Sequence, residues 1–180
     1  MNKLLNEIVK ELESKLKLIQ FPSPSDFSRE AELENYILQN IKDLVKEKIN
    51  IKDETELNKI VYAHGKTKAE KRLWSVSKVF QNIIVFGCSN TGDIFIDLKE
   101  NGTIYIEIKY SKKRSETSSS LPGDLQRSIG QALIASLKHS HVICFIVCQN
   151  EIQKKANDLS MELQEKLLKN NITIIVRSQN

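Results

Sequence analysis

The stretch GDIFIDLKENGTIYIEIKY, from Gly92 to Tyr110, constrains the fold more than any other part of the chain. Apolar and polar residues alternate on both sides of Glu-Asn-Gly, the period-two pattern of two β-strands joined by a tight turn. Residues opposite one another in an antiparallel pair share a face, so the turn decides which side chains meet. A two-residue Asn101-Gly102 turn sets Leu98 against Tyr105 and mixes isoleucines with charges on both faces. A three-residue loop, Glu100-Asn101-Gly102, uses Gly102 in the left-handed conformation and pairs Leu98 with Ile104, Ile96 with Ile106 and Ile94 with Ile108. One face is then aliphatic, and the other carries Asp93, Phe95, Asp97, Tyr105, Glu107 and Lys109. In that register Asp93 lies opposite Lys109 and diagonal to Glu107, with about 7 Å between the two Cβ atoms.

The rest of the chain supplies helices and further strands. Leu4, Ile8, Leu12 and Leu16 form one helical stripe over 3–19. FPSPSD interrupts it, and a second helix is expected over 27–48, capped by Asp26 or Ser28. Residues 54–80 read as two short helices and a basic insertion that includes Lys66, Lys68, Lys71, Arg72 and Lys78. Strands are predicted near 82–87, 93–98 and 103–110, a helix over 122–138, a strand over 141–148, a helix over 151–169 and a strand over 172–176. Three successive strands imply an antiparallel meander, and the crossovers through helices imply added parallel strands. The expected fold is α/β: a mixed central sheet flanked by helices, with residues 1–26 as a helical extension and 27–180 as one domain.

A chain of 180 residues with net charge +4 is compatible with a nucleic-acid partner without requiring one. No apolar run approaches the ~20 residues of a membrane span. Acids among the leucines of MNKLLNEIVKELESKL argue against a signal or transit peptide, so a cytoplasmic location is expected, with no membrane partner. Cys144 and Cys148 lie four apart in a predicted strand, about 13 Å by strand rise, too far to bridge. They read as small core residues.

Two carboxylates converging beside a lysine suit Mg²⁺, a hard cation that takes a few carboxylates, a carbonyl and water. The bland alternative for Glu-x-Lys in a strand is an ion-pair network on a wet face. The arrangement of an acid opening one strand at Asp93, thirteen intervening residues, and EIK at 107–109 resembles the PD-(D/E)xK nuclease superfamily. The order of helix, three strands, helix and strand over roughly 27–150 is also similar to that family's restriction-endonuclease-like core. Gly92 stands where the family motif has proline, a departure that removes no ligand.

The resemblance implies a metal-dependent DNA endonuclease. Asp93, Glu107 and the Ile108 backbone carbonyl would hold Mg²⁺, with Mn²⁺ as a substitute, and Lys109 would act on the attacking water or the phosphate. Family members often carry an acid on the preceding helix. Glu30 lies at the centre of the stripe Leu33, Ile37, Ile41 and Leu44 and would fill that role; Glu34 falls on its shoulder. Some members carry a glutamine on the later helix, where Gln126 and Gln131 are available. With Leu125, Ile129, Ala132 and Leu133 as that helix's buried stripe, Arg127, Gln131 and Lys138 would lie opposite. Lys112, Lys113 and Arg114, with Arg127 and Gln131, are the expected DNA contacts. Cutting both strands would need two sites, so a homodimer is expected, through the 3–19 helix. The alternative is a catalytically silent nucleic-acid-binding or assembly domain on the same scaffold.

Other motifs carry less. HGKT at 64–67 lacks the glycine that a phosphate-binding loop places five residues before Gly65, so no nucleotide cofactor is expected. His139 and His141 lack a third ligand of sensible spacing and read as surface residues at a helix-to-strand corner. Cys88 has no histidine nearby in sequence to activate it.

Overall fold

The computed structural model of the chain describes residues 2–21, 30–63, 83–85, 88–90, 93–111, 121–149, 158 and 161–179. Five strands form the central sheet: β1 (Val61–Ala63), β4 (Ile94–Asp97), β5 (Thr103–Ser111), β6 (His141–Gln149) and β7 (Ile172–Gln179). Their order is β1-β4-β5-β6-β7; the first three are antiparallel, and β6 and β7 continue β5 in parallel. The α/β class and the mixed sheet are as expected. The meander's first strand is not. Its place beside β4 belongs to β1, inside the region expected to be a helical insertion, whereas β2 (Ile83–Val85) pairs with β3 (Cys88–Asn90) in a separate two-stranded ribbon.

Helices cover both faces. On the aliphatic side lie α1 (Lys3–Leu18) and α2 (Glu30–Lys48), followed by the single turn α3 (Glu54–Leu57). Asn2 caps α1 by accepting a hydrogen bond from the Leu4 N–H, and Asp53 caps α3 through the Thr55 N–H. Leu5, Ile8, Leu12 and Leu16 of α1 and Leu33, Ile37 and Ile41 of α2 join Ile94, Ile96, Ile104, Ile106, Ile108, Ile143 and Phe145 in one cluster. The apolar stripe of α1 is therefore buried within the chain itself, not left free to pair with a second copy.

On the opposite side, α4 (Leu121–Ser136) and a helix over 161–168, α5, cover Tyr105, Val142, Cys144, Ile146, Cys148, Ile172 and Ile174. The inner face of α4 is Leu125, Ser128, Ala132 and Ala135, while Leu133 is 43% exposed. The expected stripe was thus rotated by part of a turn: small residues at 128, 132 and 135 let the helix approach the sheet closely. Cys144 and Cys148 are free, buried core residues, as expected, and burial pushes their thiols up to about 12 and about 11.

The β4–β5 turn corrects the register. A hydrogen bond from the Leu98 N–H to the Gly102 carbonyl closes a loop of Lys99, Glu100 and Asn101, one residue earlier than expected. Lys99 takes the left-handed conformation (φ 59°) and Gly102 has φ 114°. The pairs are Ile94–Ile106, Phe95–Tyr105, Ile96–Ile104 and Asp97–Thr103, two residues from the expected set. A shift of two preserves the faces, so the division into aliphatic and charged sides survives while the partners change.

Gly102 also meets β6's approach. A Cβ there would lie 2.6 Å from Ser140 Oγ and 3.1 Å from its Cβ. Gly102→Ala is expected to destabilise the fold by about 2 kcal/mol, from positive φ and this clash together, read as a lowered denaturation midpoint with an unchanged slope.

Candidate active site

The charged face of the sheet is not wet. Glu107 is 1% exposed, Tyr105 and its cross-strand partner Phe95 are buried on the same face, and Asp97 is buried nearer the turn. Burying a carboxylate so completely requires partners. Lys109 supplies one, its Nζ 2.8 Å from Glu107 Oε1, with the lysine side chain itself only 12% exposed. Tyr105 supplies another, its hydroxyl donating to Glu107 Oε2 at 3.2 Å. Burial and the charge of Glu107 push the ionisation of the Tyr105 phenol far up, so it remains a donor.

Asp93 reaches the same place by a break in the ladder. Its N–H donates to the Ile106 carbonyl at 3.2 Å, although Ile106 is already the partner of Ile94. Two residues thus address one, the arrangement of a bulge, which re-aims a side chain and ends regular pairing. Asp93 therefore does not sit opposite Lys109 as expected. Its Oδ2 instead accepts the Ile108 N–H at 2.6 Å. Burial first, then the negative charge of Glu107, holds the Asp93 carboxyl well above the ordinary carboxylate range, and Lys109 and the Ile108 N–H act against that rise.

The Ile108 carbonyl completes the group by accepting a hydrogen bond from Lys109 Nζ at 3.1 Å. The lysine ammonium thus bridges Glu107 Oε1 and the Ile108 carbonyl, which shows that these oxygens converge on one cationic point. Among the described residues no group of three or more His, Cys, Asp or Glu gathers as a metal site. Two carboxylates and a peptide carbonyl nevertheless fit Mg²⁺ in kind, since that ion commonly takes one or two carboxylates and fills its shell with water and phosphate oxygens.

The other expected residues divide. Glu30 opens α2, but its side chain lies outside the described residues. Glu34, one turn along and half-buried, adds its negative charge to the causes that raise Asp93. Lys112, Lys113 and Arg114, and the basic residues from Lys66 to Lys78, fall outside the described residues. Arg127 and Gln126 are exposed on α4. Gln131 is half-buried next to the inner face of that helix, not opposite it as expected.

Two histidines correct the sequence reading. His141 is 4% exposed, its Nε2 3.0 Å from Thr173 Oγ1, which in turn donates to Glu13 Oε1 at 2.7 Å. His139 is half-buried, stacked on Tyr105 at 5.3 Å and edge-on to Phe95 at 5.0 Å. Burial, aided by Lys138, lowers His139 to about 4, and burial lowers His141 against the pull of Glu13.

A histidine depressed in the folded state binds fewer protons folded than unfolded between the two pKa values, so its contribution is intact above the unfolded value, about 6.5, and fades towards acid. Asp93, held upward, has the opposite sign: its contribution is present below the ordinary aspartate value and fades as pH rises towards its folded value. Comparison with a non-titrating variant isolates the histidine. Between pH 7 and pH 4.5 the melting temperature of the wild type is expected to fall relative to that of His139→Leu. A constant gap across that range would contradict the burial assigned to His139.

No protein-family model, curated protein or solved structure matches the chain. Among the described residues no helix is long and apolar enough to cross a membrane.

Proposed function

We propose that the chain is a divalent-metal-dependent DNA endonuclease of the PD-(D/E)xK type, with a restriction-endonuclease-like arrangement of its α/β core. The observation that carries this reading is the convergence of Asp93, Glu107, the Ile108 carbonyl and Lys109 at the bulge between β4 and β5. Asp93, Glu107 and the Ile108 carbonyl would hold Mg²⁺. Bound there, the ion would lower the pKa of a water and offset charge building on the scissile phosphate.

The chain's own groups perform the remaining work. Glu107, fixed by two partners, presents a carboxylate whose orientation is set before substrate arrives. Asp93, tied to the Ile108 N–H, holds the two strands at the separation the site needs. Lys109 carries its ammonium on a four-carbon stem beside both oxygens, placed to exchange its present acceptors for a phosphate oxygen or the attacking water. The net charge of +4 and the exposed Arg127 favour a polyanionic substrate, bound through phosphate contacts that weaken with salt. The cytoplasmic location and the homodimer remain part of this proposal.

The test is a panel of supercoiled plasmid and defined duplex, flapped, branched and single-stranded DNAs, with Mg²⁺ or Mn²⁺, against Glu107→Gln and Lys109→Ala. Metal-dependent cutting by the wild type and its loss in both variants is the expected result. Cutting that survives both substitutions removes the site assignment. Salt-sensitive DNA binding by a wild type that never cuts selects the silent-binding alternative.

A further inference from the structure

We infer that Tyr105 is a positioning residue for metal capture: its hydroxyl fixes one oxygen of the Glu107 carboxylate, Oε2, so that the other is presented to a divalent cation. The inference rests on the nuclease reading and names a residue which that reading does not use. Glu107 has two oxygens with different kinds of partner. Oε1 meets Lys109, whose ammonium sits on a flexible stem and also contacts the Ile108 carbonyl. Oε2 meets the Tyr105 hydroxyl, which belongs to a side chain with no such freedom.

The tyrosine ring is buried, and it is held at its far side by other groups. His139 stacks on it with an interplanar angle of 22°, and Phe95 meets the same histidine edge-on. His139 in turn lies with Nδ1 3.3 Å from Thr103 Oγ1, the hydroxyl that also accepts the Ser140 N–H at 3.4 Å. The hydroxyl of Tyr105 therefore cannot leave Glu107 without repacking this end of the sheet. When Lys109 turns to a phosphate or a cation arrives, the contact at Oε1 changes and the Tyr105 contact at Oε2 stays. Groups that orient a ligating carboxylate from behind typically change metal affinity 10- to 100-fold when removed.

The test compares wild type and Tyr105→Phe, which keeps the ring and its stacking and removes only the donor. Mn²⁺ affinity is measured by calorimetric titration, and cleavage is followed against metal concentration. The expected result is an affinity about tenfold weaker, a matching rise in the half-saturating metal concentration, and kcat at saturating metal within about threefold of wild type. A role in packing alone would lower the melting temperature and leave the affinity of the folded protein unchanged; that outcome overturns the proposal. Should Tyr105→Phe not fold, 4-aminophenylalanine and 4-methylphenylalanine at 105 are equal in bulk and differ in the donor. Tighter Mn²⁺ binding by the amino form supports the proposal, and equal binding overturns it. A wild type that binds no Mn²⁺ removes the nuclease reading itself, whereas one that binds Mn²⁺ as tightly as Tyr105→Phe removes only the role of Tyr105.

Discussion

Glu107→Ala is expected to reduce metal-dependent DNA cleavage at least a thousandfold, about 4 kcal/mol of barrier, while leaving binding to DNA largely intact. Three features set that size. Glu107 is the most deeply buried of the site's charged groups, it lies at the centre of the contacts to Tyr105 and Lys109, and its charge contributes to the displacement of Asp93. On the proposed reading, removing it takes away an oxygen that would hold the metal, and with it the electrostatic reason for Lys109 to rest beside the Ile108 carbonyl. A loss confined to kcat/KM at low metal, with full rates at saturating Mg²⁺, would instead mean that Glu107 contributes only to metal affinity. Single-turnover rates across a metal series separate the two. A melting curve for each variant keeps loss of fold from being read as loss of chemistry.

How far this site was legible in the sequence follows from two periodicities. Alternation along 93–109 fixes which side chains share a face, and it does so even when the register is wrong, because a shift of two residues leaves parity unchanged. The sharing of one face by Glu107 and Lys109 was therefore readable, whereas Asp93 joins them through a break in the ladder that alternation does not predict. Cross-strand partners depend on which residue begins the turn, and Lys99 entered the left-handed region that sequence reasoning assigned to glycine. The bulge at Asp93 was likewise invisible, since one extra residue in a strand leaves no compositional mark.

Helix faces were less secure than strand faces. In α4 two overlapping stripes of apolar residues compete, and the sheet selected Leu125, Ser128, Ala132 and Ala135 because small side chains permit a close approach. β1 escaped notice because three residues of a strand, Val61–Ala63, carry too short a pattern to stand out beside a basic run. Burial at position 107 could not be read at all: the same Glu-x-Lys suits a solvated edge equally well, until α4 and α5 are laid over that face.

The burial itself yields the second large effect. Lys109→Met is expected to cost about 3–5 kcal/mol of stability, because it leaves the Glu107 carboxylate, 1% exposed, without its cationic partner. A surface pair of the same composition would cost about 1 kcal/mol or less. The Tyr105 hydroxyl and the Ile108 N–H remain as donors near the two acids, but neither carries charge and neither replaces the ammonium beside Glu107. Adding Glu107→Leu to Lys109→Met removes the stranded anion, and most of the lost stability is expected to return, to within about 1–2 kcal/mol of wild type. Chemical denaturation of wild type, both single variants and the double variant closes the cycle. A cost below about 1 kcal/mol for Lys109→Met would place the pair in effective contact with water, contrary to its burial. The double variant, stable and unable to cleave, would also separate what the two charges do for the fold from what they do for the chemistry. A double variant within that margin of wild type would mean that the buried pair adds little net stability beyond what an apolar pair supplies, and its loss of cleavage would then be read as chemistry.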